Sequence, residues 1–324
     1  MTAKRTSIYD LLLIAILLLA VSFRVVGLNW DENQHLHPDE RFLTMVETAL
    51  QPRTCSTPGI SVEACPEEQK TWISPSLYFN TAKSSMNPHN RGYGFFVYGT
   101  LPIFLVRYLA EILGQTGYDQ VHLVGRMVSA AADLGVIVLL FLITARLYGR
   151  KVGYLAAAFS ALAVMQIQQS HFFTVDNPAN FFTFLAIFFA VLIATNDEQT
   201  HVARNDDVAA NKKIRSIGDP LLLYAVGFGI SLGMAVASKL NAAPLALLLP
   251  AAFAVRYYTN KPAHPPRHGD HPEEATTADP SNSFWTQIAI YLVCAAAAAG
   301  LTFRIFQPYA FAGIGLNPAW REPE

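Results

Sequence analysis

Charge is what this chain has least of. Only 15% of its 324 residues are Asp, Glu, Lys or Arg, against about a quarter in ordinary soluble domains. Neither sign dominates: 23 basic side chains face 24 acidic ones for a net charge of −1. That balance excludes a nucleic-acid binder with a basic face, and the low polarity excludes a disordered tail. In place of charge stand long apolar runs, among them Leu11–Leu28, Leu134–Leu147, Phe181–Thr195, Leu221–Ala237 and Ala242–Tyr257. Blocks of roughly 18–25 residues match a hydrocarbon core about 30 Å thick. The fold class they imply is all-α, a polytopic transmembrane helical bundle. A mean hydropathy of only +0.28 leaves room for substantial water-exposed segments.

Lys4 and Arg5 precede the first run and put the N-terminus in the cytoplasm by the positive-inside rule. The run reads as an uncleaved anchor; a signal peptide cut near Ala20-Val21-Ser22 is the alternative, which the apolar residues beyond the cut disfavour. Residues 29–93 are polar and hold Pro52, Pro58, Pro66, Pro75 and Pro88, so a long external loop follows. Within it the spacing of Phe42, Met45, Val46 and Ala49 predicts a short amphipathic helix over Asp39–Leu50. Cys55 and Cys65 lie in this loop and are expected to pair if it faces an oxidising exterior; Cys294 sits in an Ala-rich run and reads as packing.

Phe95–Leu113 is apolar enough to span but carries Arg107, Glu111, Gly99 and Pro102. If it spanned, Arg150-Lys151 and Lys212-Lys213 would fall outside; lying flat on the membrane surface, it leaves both clusters inside, which the charge rule favours. The external loop then covers 29–121. Spans are expected near 123–147, 152–171, 178–195, 219–237, 241–258 and 284–304, seven with the anchor, joined by cytoplasmic loops 196–218 and 259–283. Residues 1–310 form this module, and 311–324 read as an external tail, the start of a truncated loop. Only Asp133 and the helix ends carry charge within the spans. Gly227, Gly229 and Gly233 read as close helix packing, and Phe172-Phe173 and Phe181-Phe182 as packing or interface belt.

With this topology four polar features share the outer face: His35–Phe42, Thr174–Pro178, Ser238-Lys239 and Arg304 with Gln307-Pro308-Tyr309. Carboxylates and cations at one interface are the parts needed to deprotonate a hydroxyl and hold a phosphate leaving group. Each feature alone has an ordinary reading: solvated acids after a span, Asp-Asn-Pro as a helix start, and a snorkelling Lys.

The ordered set Asp39-Glu40-Arg41-Phe42, Gly125-Arg126-Met127, Ala145-Arg146-Leu147-Tyr148-Gly149, Asp176-Asn177-Pro178 with Phe181-Phe182, and Ser238-Lys239 resembles the GT-C glycosyltransferases of the protein O-mannosyltransferase and lipid A aminoarabinose transferase type. The resemblance implies a polyprenyl-phosphate sugar donor, a protein, lipid or glycan acceptor hydroxyl outside the cytoplasmic membrane, and inversion at the sugar carbon. It also implies membrane-surface helices in the first external loop. One departure is that Tyr98-Gly99-Thr100-Leu101-Pro102 stands where members often carry a His-Pro-Pro-Leu-Gly-Lys type segment.

Carried over, Asp39 matches the acidic residue acting as base or orienting the acceptor, Glu40 is its neighbour and partner, and Asp176 is the second acidic position. Lys239, Arg304 and Arg126 are the donor-phosphate candidates, Arg offering a bidentate fork and Lys a point charge. A divalent metal ion is a candidate cofactor, with His37, Asp39 and Asp176 as its ligands. The competing classes are a lipid-linked sugar transporter or flippase, which would show broken or charged helices at the midplane and a repeat, and a non-catalytic assembly subunit. Single cysteines near Gln115 and Asn241 should label from outside the cell, and one near Asn205 only after permeabilisation; labelling at Gln115 solely from the inside would overturn the flat-helix assignment.

Overall fold

The structure, a computed structural model, describes residues 8–57, 59–62, 64–196, 219–259 and 280–312. The expected cytoplasmic loops, apart from their end residues, and nearly all of the tail lie outside them. Eleven described helices, α1 (Ile8–Val25), α2 (Pro38–Ala49), α3 (Pro75–Tyr78), α4 (Thr100–Leu113), α5 (Tyr118–Tyr148), α6 (Arg150–Leu162), α7 (Val164–Ser170), α8 (Asp176–Ala194), α9 (Pro220–Ser238), α10 (Leu248–Thr259) and α11 (Pro280–Phe306), make up nearly all the regular structure. The β-structure described is one antiparallel hairpin, β1 (Arg53–Cys55) on β2 (Lys70–Trp72), with Arg53 opposite Trp72. A disulfide joins Cys55 to Cys65 across the hairpin loop.

Among the described residues, five helical segments are long and apolar enough to cross a membrane: α5, α8, α9, the 3-10 stretch plus α10 over Leu240–Thr259, and Trp285–Phe306 of α11. The other two expected passages differ in form. In α1 the apolar helix is short, Leu11–Val25, and the expected span 152–171 is broken at Ala163 into α6 and α7. The break is held by a charge placed deep in the apolar bundle. Arg24 is fully buried and pairs through Nε with Asp133 at 2.5 Å. Its other nitrogens donate to the carbonyls of Ser160 (3.1 Å) and Ala161 (3.0 Å) at the end of α6, where helix carbonyls run short of intrahelical donors; the Ser160 carbonyl also accepts the Ala163 N–H. Irregular backbone away from water persists only where its polar groups are met in this way. Asp133 is therefore half of an ion pair rather than an isolated charge.

The elements between α1 and α5 fold into their own apolar cluster, with Leu43 and Val46 of α2 and Leu50 at its C-terminal cap against Ile103, Phe104 and Val106 of α4 and Phe173. The buried stripe of α2 is rotated from the expected one: Leu43, Val46 and Leu50 point in, while Met45 is exposed. The cause is Glu40, which lies on the inward face and is drawn to an arginine described below. Over Phe95–Leu113 the helix begins only at Thr100. Its 14 residues reach about 21 Å, short of a hydrocarbon core about 30 Å thick. Most of it is buried in the loop cluster, with Arg107 bonded to Glu111 at 3.0 Å.

In the bundle, α8 packs between α5 and α9, and α9 packs on α11. Small residues set the last contact. A Cβ at Gly233 would lie 2.6 Å from the Ala299 carbonyl oxygen, and one at Gly229 would overlap the Ala295 carbonyl; these two glycines, four residues apart, let the backbones meet. Exposed Leu223, Ile230, Val293 and Leu301 leave the outer surfaces of the same helices apolar, as lipid contact requires. Gly233→Val should cost about 1–3 kcal/mol by overpacking and lower the unfolding temperature of purified protein. Gly300→Val, at a position with open space, should not.

Candidate active site

Two acidic residues adjacent in sequence are sent to opposite fates. Glu40 is fully buried. Its carboxylate is gripped by Arg126 of α5, with Nε at 2.9 Å and Nη2 at 2.5 Å. The same guanidinium reaches the Asp31 carboxylate at 2.9 Å and the Leu28 carbonyl at 2.7 Å, and the Trp30 ring lies against it. Glu40 also accepts the backbone N–H of Phe173 at 2.6 Å. Gly125 admits that contact, since a Cβ there would overlap the Phe173 ring. Burial works to raise the Asp31 carboxyl, but the hydrogen bonds from Arg126 and the Leu36 N–H outweigh it and hold the group below the usual carboxylate range. Arg126, expected from the sequence as a donor-phosphate ligand, and Glu40, expected as the partner of Asp39, are thus bound to each other within this network.

Asp39, in the first turn of α2, stays exposed. Its Oδ1 accepts a hydrogen bond from the Tyr98 hydroxyl at 3.2 Å. Tyr98 is held there by the next residue: the Gly99 N–H donates to the Ser238 carbonyl at 3.2 Å, and a Cβ at Gly99 would collide with the Ala237 and Ser238 carbonyls. Thr100 continues the docking through its N–H and hydroxyl to Gln307 at the end of α11, at 2.7 and 2.8 Å. Immediately after Ser238, Lys239 extends Nζ to the Asp176 carboxylate at 2.5 Å, the first residue of α8. The Tyr98 hydroxyl is raised in pKa by burial first, then by the charge and hydrogen bond of Asp39, and then by the charge of Asp176. Both carboxylates thus act on one phenol, and the two acidic motifs and Ser238-Lys239 meet.

The Asp176–Lys239 pair is 46% and 41% exposed. An ion pair so open to water is worth little in stability, and either partner can exchange the other for a ligand. Arg304 differs: it is buried between the Phe79 and Phe311 rings, 4.8 and 5.0 Å away, and donates to the Pro308 carbonyl. His37 packs its ring on Phe172 and caps α2, its Nδ1 accepting the Glu40 N–H. Among the described residues no three His, Cys, Asp or Glu side chains gather as a metal site. Tyr98, Asp31 and Phe173 were absent from the candidates. Only the departure at Tyr98-Gly99 marked that segment, and its role rests on a contact 59 residues away.

Residues 101–202 match the family model for dolichyl-phosphate-mannose-protein mannosyltransferase. No curated protein sequence matches the chain. Among solved structures, the protein O-mannosyltransferase Pmt1–Pmt2 complex of S. cerevisiae bound to its sugar donor is similar with a TM-score of 0.56 and 14% identity, over 96% of this chain and 35% of that one. The oligosaccharyltransferase of Archaeoglobus fulgidus in its apo form aligns at 0.47 and 15%, over 92% and 33%. The chain spans about a third of the length of these proteins. The fold is that of a polytopic helical membrane protein, shared over nearly the whole chain with the O-mannosyltransferase complex, and the family match covers residues 101–202.

Arg126→Ala leaves Glu40 and Asp31 as unpaired buried acids and should cost about 3–5 kcal/mol, read as a large fall in unfolding temperature. A residue that only bound donor phosphate would leave that temperature unchanged and weaken donor use instead.

Proposed function

We propose that the chain is the membrane module of a glycosyltransferase that moves a sugar from a polyprenyl-phosphate donor to an acceptor hydroxyl on the outer side of the cytoplasmic membrane, with inversion. The observation that carries this is an exposed carboxylate, Asp39, held by Tyr98 beside an exchangeable Asp176–Lys239 pair. The acceptor hydroxyl is a poor nucleophile near neutral pH. Asp39, with one oxygen bonded to Tyr98, takes the proton on its other oxygen as the hydroxyl oxygen attacks the sugar carbon. The bond from that carbon to the phosphate oxygen breaks on the far side, and Lys239 leaves Asp176 to meet the charge that develops on the departing phosphate. Asp176, released from the lysine, orients the sugar or acceptor hydroxyls.

An apolar cavity of about 530 Å³ supports the lipid half of this donor. Tyr78, Phe79, Leu101, Phe104, Phe182 and Met234 are among the residues that line it. Phe182 lies six residues along α8 from Asp176, under two turns, and Met234 five residues before Lys239, so the cavity starts within reach of a lipid chain leaving a phosphate at Lys239. Of the acceptors open to the chemistry, a protein hydroxyl is favoured by the protein mannosyltransferase match over residues 101–202.

Asp39→Asn keeps shape and removes the base, so transfer should fall by about 10²–10⁴-fold while folding and donor binding persist. Asp176→Asn should also lose activity, and Lys239→Ala should raise the KM for the lipid donor. Near wild-type turnover of purified Asp39→Asn would overturn the assignment.

A further inference from the structure

Residues 91–98 run back along α2 from its end to its start. Arg91 donates through Nε to the Ala49 carbonyl at 2.6 Å, the Tyr93 hydroxyl donates to the Met45 carbonyl at 2.8 Å, and the Tyr98 hydroxyl reaches Asp39 at 3.2 Å. The Phe42 ring sits among those of Tyr93, Phe96 and Tyr98. Along this seam Met45 is exposed, and Phe42, Tyr93 and Tyr98 are half-buried. It offers a line of apolar and hydroxyl groups that starts at Asp39.

At its far end the seam meets a cavity of about 500 Å³ in the disulfide-closed loop, with Thr54, Cys55, Thr57, Ser61 and Arg91 in its wall. Arg91 is the one charged side chain among the described residues that line it. Its Nε is committed to Ala49, which fixes the plane of the fork, and its two terminal nitrogens have no partner among the described residues. A half-buried guanidinium held in this way suits a carboxylate, which it can meet with two parallel bonds. The exposed cation of α2, Arg41, is turned aside, its Nε donating to the His35 carbonyl at 2.9 Å. Charge is thus divided along the seam: Asp39 and Asp176 repel an anion at one end, and Arg91 attracts one at the other. Asp39 and Ala49 lie ten residues apart on one helix, a distance of about 15 Å, which about five residues of extended polypeptide span.

We propose that the seam and its terminal cavity hold the acceptor as an extended polypeptide, with an acidic side chain on Arg91 about five residues from the hydroxyl that Asp39 deprotonates. The inference rests on the protein-acceptor reading above. Arg91 then acts on specificity from a distance: it touches none of the reacting atoms and decides which hydroxyl along a polypeptide comes to rest beside Asp39.

The test measures binding of synthetic peptides to the full chain in detergent. Each peptide carries a single Thr and a single Asp, with the Asp about five residues before the Thr, about five after it, or about two away on either side; a matched peptide has Asn in place of Asp. One of the distant-Asp peptides should bind about fivefold tighter than its Asn counterpart, the gain expected of an ion pair partly open to water, and the near-Asp peptides should gain nothing. Arg91→Gln should erase the gain and leave binding of the Asn peptide unchanged, and Arg91→Glu should transfer it to a peptide with Lys in place of Asp. Should both variants fail to fold, arginine-directed labelling of the wild type reads the same contact: the favoured Asp peptide should slow modification of Arg91, and the Asn peptide should not. An Asp gain equal at every position, a gain that survives Arg91→Gln, or labelling of Arg91 that the Asp peptide does not slow would overturn the inference and leave the protein-acceptor reading standing. If no peptide binds, that reading falls and this inference with it.

Discussion

A buried guanidinium is tolerable only when its donors are met, and Arg126 meets that condition by gathering segments remote in sequence. It binds the stretch after α1 through Leu28 and Asp31, and the start of α2 through Glu40. Glu40 in turn holds the Phe173 backbone just before α8. The consequence for chemistry is positional. Asp39 is one residue from Glu40 and Asp176 three residues from Phe173, so the same network that satisfies the arginine places the two proposed catalytic carboxylates relative to each other. Preorganisation of that kind is what lets a site stabilise charge without rearranging at the moment of reaction.

The pairing of α1 with α5 has a matching pattern. Arg24 and Asp31 are seven residues apart, as are Arg126 and Asp133, and the contacts run crosswise: Arg24 to Asp133 and Arg126 to Asp31. Seven residues is close to two helical turns, so the charges on α5 share a stripe. A slip of one turn between the segments would bring neither cation to its acid. Ion pairs in an apolar setting are a weak source of net stability but a strong device for excluding wrong registers.

Much of this was legible because the signals are local. Apolar runs report spans by length alone, and the five long helices fall where those runs lie. The meeting of Asp39, Asp176 and Lys239 followed from chain order and alternating direction. What escaped depended on partners far along the chain. Arg126 at the head of a span looks like a phosphate ligand until Asp31 and Glu40 are seen around it. The face of α2 was misread because hydrophobic spacing carries no account of a buried ion pair overriding it. Tyr98 lay in a segment marked only by its departure from a pattern, and Gly99 explains the departure: the chain must touch the backbone end of α9, which a side chain would prevent.

The Arg24–Asp133 pair also bears on how the molecule is made. Arg24 lies in the last turn of the apolar α1, and its partner is translated 109 residues later. Until α5 emerges, α1 holds an unmatched charge whose hydration comes from water and headgroups at that end of the helix. Docking of α5, followed by α6 offering the Ser160 and Ala161 carbonyls, replaces that hydration with fixed partners. The first three passages therefore mature as a unit during synthesis, and a chain stalled before Asp133 would present cellular quality control with a helix that has no settled place in the membrane.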